Sequence, residues 1–371
     1  MQIAIFYNLP FGGAKRVVRE HVKGLRSLGN TVDIYTLNQK QDMFDPSVFA
    51  NSIFNYPFLL NKSNIPFFSR LIKDLQIFIS LKNLHKKIAH EIDSKNYDIV
   101  LVHTDIYTQS PYILRFLRTN NVYFCLEPLR MVYEYSLIPD KSIKGLNRLY
   151  ELTTRNIRKS IDRINARSAL HTLTLSLFGR EYMIHAYNLY PQISYLGVDT
   201  HVFKPKNIKR KNQVLFVAEK EYIYGYDLAV KAIALLPEKD RPELKLVFGT
   251  NKSRRISEAE LVATYQESLV TLSLSRYDTF GLVPLESWSC GTPVITLNVA
   301  GYRETMRDGE IGFWADFDPK DIAKKIQFFL DNRSEIEKMG LAGRKWVEEK
   351  WTWKRQIRIL EDLLKNIIDY E

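Results

Sequence analysis

Ile3-Ala4-Ile5-Phe6-Tyr7 runs into Leu9-Pro10-Phe11-Gly12-Gly13, and then Val17, Val18, Val22, Leu25 and Leu28 recur at helical spacing. The first run is short, continuous and apolar, as in a parallel strand buried on both faces. The second is a loop rich in chain breakers. The spacing that follows predicts a helix from Ala14 to Leu28. Gly29-Asn30 stops it, and Thr31 to Leu37 reads as a second strand. The chain therefore opens with a βαβ unit.

Working outward, similar strands recur at Asp98–His103, Val122–Leu126 and His171–Leu175, with helical stretches between them. A second series starts at Gln213. Its strands are expected at Val214–Ala218, Leu244–Gly249, Leu269–Ser273 and Pro293–Leu297. Its helices are expected near Tyr226–Leu236, Glu258–Glu267, Val283–Cys290 and Pro319–Leu330. Alternation of this kind predicts an α/β protein of two Rossmann-like, doubly wound parallel-sheet domains. Gly197 to Lys211, with Pro205 and the cations Lys204, Lys206, Lys209, Arg210 and Lys211, reads as a linker. The expected organisation is residues 1–200, residues 201–350, and a C-terminal helical stretch within 351–371, near Trp353 to Ile368.

The composition fits that plan. A chain of 371 residues suits two domains, and 45% apolar residues suffice for real cores. The first apolar run is too short for a signal peptide or a membrane span, and no later stretch is long and charge-free enough to cross a bilayer. Cys125 and Cys290 suggest neither a disulfide framework nor a metal site, so a reducing cytoplasm is the expected location. The net charge of +11, from 53 basic and 42 acidic residues, favours nucleic acid, anionic lipid or phosphorylated small molecules as partners. A solvated basic surface is the plain alternative. No helix-turn-helix signature or zinc spacing supports nucleic acid, and none is expected as a partner.

The strongest local signal is Asp278-Thr279-Phe280-Gly281-Leu282-Val283-Pro284-Leu285-Glu286, followed by Gly291-Thr292-Pro293-Val294. A strand ends just before it, and Pro284 falls in the first turn of a helix, where its missing donor costs nothing. The N–H groups around Gly281 and Leu282 then point out of a helix N-terminus, a ready phosphate site. Two carboxylates bracket it and can grip sugar hydroxyls. The plain alternative is an acidic N-cap and a surface Glu.

The spacing from Asp278 to Glu286, with Phe280-Gly281-Leu282 inside it, resembles family 4 of the retaining glycosyltransferases, also called glycosyl transferases group 1. The resemblance implies the GT-B architecture, in which two Rossmann-like domains face a cleft. It assigns sugar hydroxyls to Asp278, which makes it a candidate catalytic residue, the nucleotide ribose to Glu286, and donor contacts to Phe280, Gly281 and Leu282. Gly12-Gly13-Ala14-Lys15-Arg16 is similar to the family's N-domain glycine loop, with Arg16 a candidate phosphate or acceptor contact. Gly197-Val198-Asp199, Tyr224-Gly225-Tyr226-Asp227, Ala300-Gly301-Tyr302-Arg303-Glu304 and Asp308-Gly309-Glu310 extend the likeness over nearly the whole chain. The final helix is then expected to return to the N-domain. His103 and Glu127, each closing a strand at the edge where α/β proteins bind ligands, are candidate catalytic residues, and Arg130 a candidate phosphate or acceptor contact. For His103 a packed structural histidine is the alternative.

Some positions depart from the family. Glu219 and Tyr224 stand where it has an Arg and a Lys that neutralise the diphosphate. Lys220 is the nearest substitute and a candidate donor-binding residue, with Lys252, Arg254 and Arg255 as others. Asp278 is one methylene shorter than the usual Glu. The implied activity is metal-independent, retaining transfer of a hexosyl unit from a nucleotide-diphosphate sugar to a glycan, lipid-linked or small-molecule acceptor. That suits polysaccharide or glycolipid biosynthesis, with no cofactor beyond the nucleotide-sugar co-substrate. The alternatives are an inactive or regulatory relative and a sugar-nucleotide epimerase on the same fold. Ser52–Lys86 and Lys141–Arg167 mix apolar and basic residues, so an anionic membrane surface is a further candidate partner, reached peripherally from the inner face. Core-facing helices with a solvated face are the alternative.

Overall fold

The computed structural model describes residues 1–39, 41–61, 66–133, 145–247 and 256–369, and for 66–68 the backbone alone. The chain divides into two compact units. The first comprises Met1–Leu175, Gly179–Ser194 and Ile357–Glu371; the second comprises Ser176–Phe178 and Tyr195–Gln356.

The first unit is built on seven parallel strands: β1 (Gln2–Asn8), β2 (Thr31–Thr36), β3 (Ser52–Asn55), β4 (Ile99–Asp105), β5 (Asn121–Cys125), β6 (His171–Thr174) and β7 (Gln192–Ile193). Their order is β3-β2-β1-β4-β5-β6-β7. Ile3 pairs with Val32 on one side and with Ile99 on the other, so the opening apolar run lies at the centre of the sheet. Ile3, Ala4, Ile5 and Phe6 are wholly buried, as a strand covered on both faces must be. Helix Gly13–Ser27 buries Val17, Val18, Val22 and Leu25, and Gly29 (φ 88°) ends it.

The second unit carries β8 (Gln213–Val217), β9 (Glu243–Val247), β10 (Val270–Ser273), β11 (Val294–Leu297) and β12 (Gly312–Ala315), all parallel, in the order β12-β11-β10-β8-β9. In each sheet the strand order reverses beside the first strand, between β1 and β4 and between β8 and β10. Open α/β sheets bind ligands in the crevice such a reversal leaves beyond the carboxyl ends of the strands.

Helix Trp353–Asp369 ends the described chain. Within the first unit Ile357 fills the place where a Cβ on Gly24 would lie, and Glu361 accepts a hydrogen bond from Asn30 Nδ2 at 2.7 Å. The segment Gly197–Lys211 is more than a solvated linker. Arg210 is drawn into the second unit and donates to the Gln266, Ser268 and Gly291 carbonyls and to Thr292 Oγ1.

The two mixed basic segments differ from each other. Ser52–Lys86 opens with β3, and Phe58, Ile77 and Leu81 are buried, with Phe54, Leu60 and Phe78 packed on the same core. Helix Gly145–Arg167 does the reverse. It buries Thr154, Asp162 and Asn165 beside Ala166, and exposes Leu146 (83%), Leu149 (63%) and Ile164 (52%). The inversion has a cause: Asp162 accepts from Ser110 N, Ser110 Oγ and the Tyr187 hydroxyl, which anchors the polar side inward. Among the described residues no helix is long and apolar enough to cross a membrane.

Candidate functional site

At the carboxyl end of β10 the chain turns through Asp278. Its Oδ1 accepts from Phe280 N at 3.1 Å and its Oδ2 from the Tyr302 hydroxyl at 3.2 Å, and its carbonyl accepts from Gly301 N at 3.0 Å. Tyr302 is buried and also bonds Ser273 Oγ at 2.9 Å. Burial and the Asp278 charge hold its phenol well above the ordinary range, so it stays a donor. The carboxylate is thus oriented by a backbone turn and by a fixed hydroxyl.

Helix Leu282–Ser289 begins three residues after Thr279. Gly281 is its N-cap at φ 94°, no side chain caps it, and its first turn holds no acidic residue. A Cβ on Gly281 would sit 2.7 Å from the Tyr302 ring, so only glycine fits both the dihedral and the space. A helix start lacking a side-chain cap directs N–H groups and the positive end of the dipole outward. On the same helix Glu286 is only 5% exposed and accepts from the Tyr265 hydroxyl at 2.8 Å. Phe280 faces inward against Tyr195 and Trp351, with ring centroids 5.9 and 5.6 Å away, so only its backbone is placed for a ligand.

The loop after β8 holds Glu219, Lys220 and Tyr224. Lys220 is exposed, its ammonium 5.7 Å from the Tyr226 ring centroid. Lys252, Arg254 and Arg255 lie outside the described residues. Sequence reasoning passed over Arg276. Its guanidinium grips both oxygens of Asp227 at 3.0 and 3.1 Å, donates to the Tyr222 carbonyl and lies 3.7 Å from the Tyr222 ring centroid. Arg276 thereby ties the β8 loop to the loop that carries Asp278.

In the first unit Gly12 (φ 154°) is the N-cap of helix Gly13–Ser27, again without a side-chain cap or an acidic first turn. A Cβ on Gly13 would meet no protein atom within 4 Å, so the space over this loop is open. Lys15 is buried against Asp42 at 2.7 Å, and Arg16, also buried, lies 5.7 Å from the Phe44 ring centroid. His103 does not close β4, which runs on to Asp105, and it is wholly buried. Its Nε2 meets His21 Nδ1 at 3.3 Å, and Phe124 packs 5.3 Å away. Burial pushes His103 down to about 3 and His21 well below its ordinary value, so both rings are neutral. Glu127 and Arg130, both half-buried, form an ion pair at 2.5 Å. The fold therefore gathers Asp278, Gly281, Leu282, Glu286 and Lys220 at the carboxyl edge of the second sheet. It gathers Gly12, Gly13, Arg16, His103, Glu127 and Arg130 at that of the first.

Residues 252–346, which contain the whole Asp278–Glu286 element, match the family model of glycosyl transferases group 1. That part of the chain resembles the family. Among curated proteins, the D-inositol 3-phosphate glycosyltransferase of Acidothermus cellulolyticus is 31% identical over 188 residues, 39% of this chain and 42% of that protein. The chain spans less than half the length of such curated relatives. Solved structures extend the likeness of fold to the full length. A sucrose-phosphate synthase from Thermosynechococcus elongatus superposes with a TM-score of 0.76 at 17% identity, covering 100% of both chains. Anabaena HepE in complex with UDP-glucose does so with 0.70 at 14% identity, covering 99% of this chain and 100% of that one. The fold of the chain is accordingly GT-B.

Proposed function

We propose that the protein is a retaining glycosyltransferase that moves a hexosyl unit from a nucleotide-diphosphate sugar to a glycan, lipid-linked or small-molecule acceptor without a resident metal. One observation carries this reading: a turn-held carboxylate, a helix N-terminus bared by glycine, and a second, nearly buried carboxylate stand along one short helix at the ligand edge of a parallel sheet. Asp278 holds hydroxyls of the transferred sugar. The N–H groups at Gly281 and Leu282 meet the phosphates, and stabilise the negative charge that grows on the leaving group. Glu286, aimed by Tyr265, holds the ribose. Lys220 is the exposed cation on the neighbouring loop, and its flexible stem lets it reach a phosphate. The glycine loop at Gly12 and Gly13 offers a second set of backbone donors, and the acceptor is assigned to the first unit. A mass-spectrometric screen for the nucleotide sugar consumed tests the reading. Consumption of one donor supports it, and consumption of none, with nucleotide still bound, supports the inactive alternative that Glu219 and Tyr224 suggest.

The proposed working place is the cytoplasmic face of a membrane, held peripherally. Leu146, Leu149, Leu152, Ile157 and Ile164 of helix Gly145–Arg167 are exposed, and Arg155, Lys159 and Arg163 lie on the same helix. Apolar and basic residues together suit an anionic lipid surface. Cosedimentation with anionic but not neutral liposomes is expected, and equal, negligible binding to both would remove this part.

A further inference from the structure

The second unit also has a cavity of about 530 Å³ at the opposite end of its sheet, where Asn212 precedes β8 and Leu269 precedes β10. Three cations line it, Lys209, Arg210 and Arg333, against one carboxylate, Glu337. Its size falls within the range of small-molecule sites. Arg210 is held by four neutral oxygens: the carbonyls of Gln266 (3.1 Å), Ser268 (2.6 Å) and Gly291 (2.7 Å), and Thr292 Oγ1 (2.7 Å). These bonds fix the guanidinium, and Glu337 is the carboxylate whose charge acts on it. Arg333 reaches Asn212 Oδ1 at 3.2 Å, and Lys209 is exposed with no ion pair among the described residues. A sheltered, pre-positioned cation with two exposed ones beside it suits a doubly charged anion. Glu337 supplies acceptors for hydroxyls, and Leu269 and Ile336 an apolar wall for the face of a small ring.

We propose that this cavity is a second ligand site that binds a sugar monophosphate. It stands apart from the donor residues, which lie at the carboxyl ends of β8 and β10. Arg210 is unsuited to mutation, because its contacts to Gly291 and Thr292 brace the end of helix Leu282–Ser289. Lys209 and Arg333, both exposed, leave that brace intact. The test is calorimetric titration of the full chain with glucose 6-phosphate, inorganic phosphate and glucose. Saturable binding of glucose 6-phosphate is expected, with inorganic phosphate weaker and glucose without effect. Affinity should fall about tenfold or more in the Lys209→Gln/Arg333→Gln double variant, with its melting temperature unchanged, and persist in Glu286→Ala. Absence of saturable binding up to roughly 10 mM, equal binding by the double variant, or loss of binding in Glu286→Ala would overturn the proposal. Inorganic phosphate binding as tightly as the sugar phosphate would overturn its sugar part.

Discussion

Tyr265 donates its hydroxyl proton to Glu286 Oε2 at 2.8 Å, across 21 residues of sequence and inside the core of the second unit. The carboxylate proposed to hold the ribose is therefore not a loose surface group. The bond fixes the orientation of its carboxylate.

Tyr265→Phe keeps the ring, which is wholly buried, and removes this one bond. Nucleotide affinity is expected to fall about five- to tenfold and stability by about 1–2 kcal/mol. Calorimetric titration and urea unfolding read the two effects. Unchanged nucleotide affinity would mean that Tyr265 does not aim Glu286.

Gly281→Ala forces a side chain into φ 94° and to within 2.7 Å of the Tyr302 ring. Tyr302 must move, which releases Asp278 from its hydroxyl. Stability should drop by about 1–3 kcal/mol, and transfer should fall more than nucleotide binding. Full activity in this variant would mean that the helix start tolerates a shift the geometry forbids.

Acid should destabilise the first unit through its histidines. Burial pushes His85 and His103 down to about 3 and His21 well below the ordinary value. The unfolded chain takes up these protons below about pH 6.5, whereas the folded chain resists. Stability from this source is full above that pH and is lost as pH falls toward 3. Asp105 and Asp162 act in the opposite sense. Burial lifts both to about 6, so protonating them favours the folded chain between pH 6 and 3.8. Three histidines outweigh two carboxylates, and net stability falls with pH. Neither ring nitrogen of His85 has a hydrogen-bond partner among the described residues, although its Nε2 lies 3.8 Å from Asp105 Oδ2, so His85→Leu should reduce the acid loss by up to about 1.4 kcal/mol per pH unit. Urea unfolding at pH 7 and pH 5 checks it; an unchanged difference would contradict the assignment.

Much of this was written locally in the chain. The Ile3–Tyr7 run and the breaks at Gly12 and Gly29 suffice for β1 and its helix, and Pro284 marks the start of helix Leu282–Ser289. Other elements gave weaker signals. Strand β3 is an edge strand of four residues, and its Ile53 is exposed, so it lacks the apolar run of a central strand. Helix Arg333–Lys350 carries Gly340 and Gly343, which read as breakers. In the fold they are contact points: a Cβ would come within 2.0 Å of the Gly291 carbonyl and 2.6 Å of the Trp288 ring. At the site, motif residues were legible because they are contiguous. Tyr265 and Arg276 were not, nor were the contacts of Tyr302 and Asp227, because only the fold brings them together. His103 was legible as a strand residue, but the strand runs two residues further, to Asp105, and its burial behind His21 depends on a helix 82 residues away.

The central claim is that Asp278 and Glu286 divide the donor between them, and it is tested most directly by nucleotide titration and transfer kinetics on single variants, using the donor found in the screen. Glu286→Ala is expected to weaken free nucleotide roughly thirty- to thousandfold, as loss of a charge-assisted hydrogen-bond pair does. Asp278→Asn is expected to spare free nucleotide and lower transfer, since that contact exists only with a sugar attached. Asp278→Glu should also lower transfer, because the shorter carboxylate is locked by Phe280 N and Tyr302. If Glu286→Ala and Asp278→Asn both leave nucleotide binding and transfer unchanged, the two carboxylates are ordinary helix-end residues and the proposed mechanism is wrong.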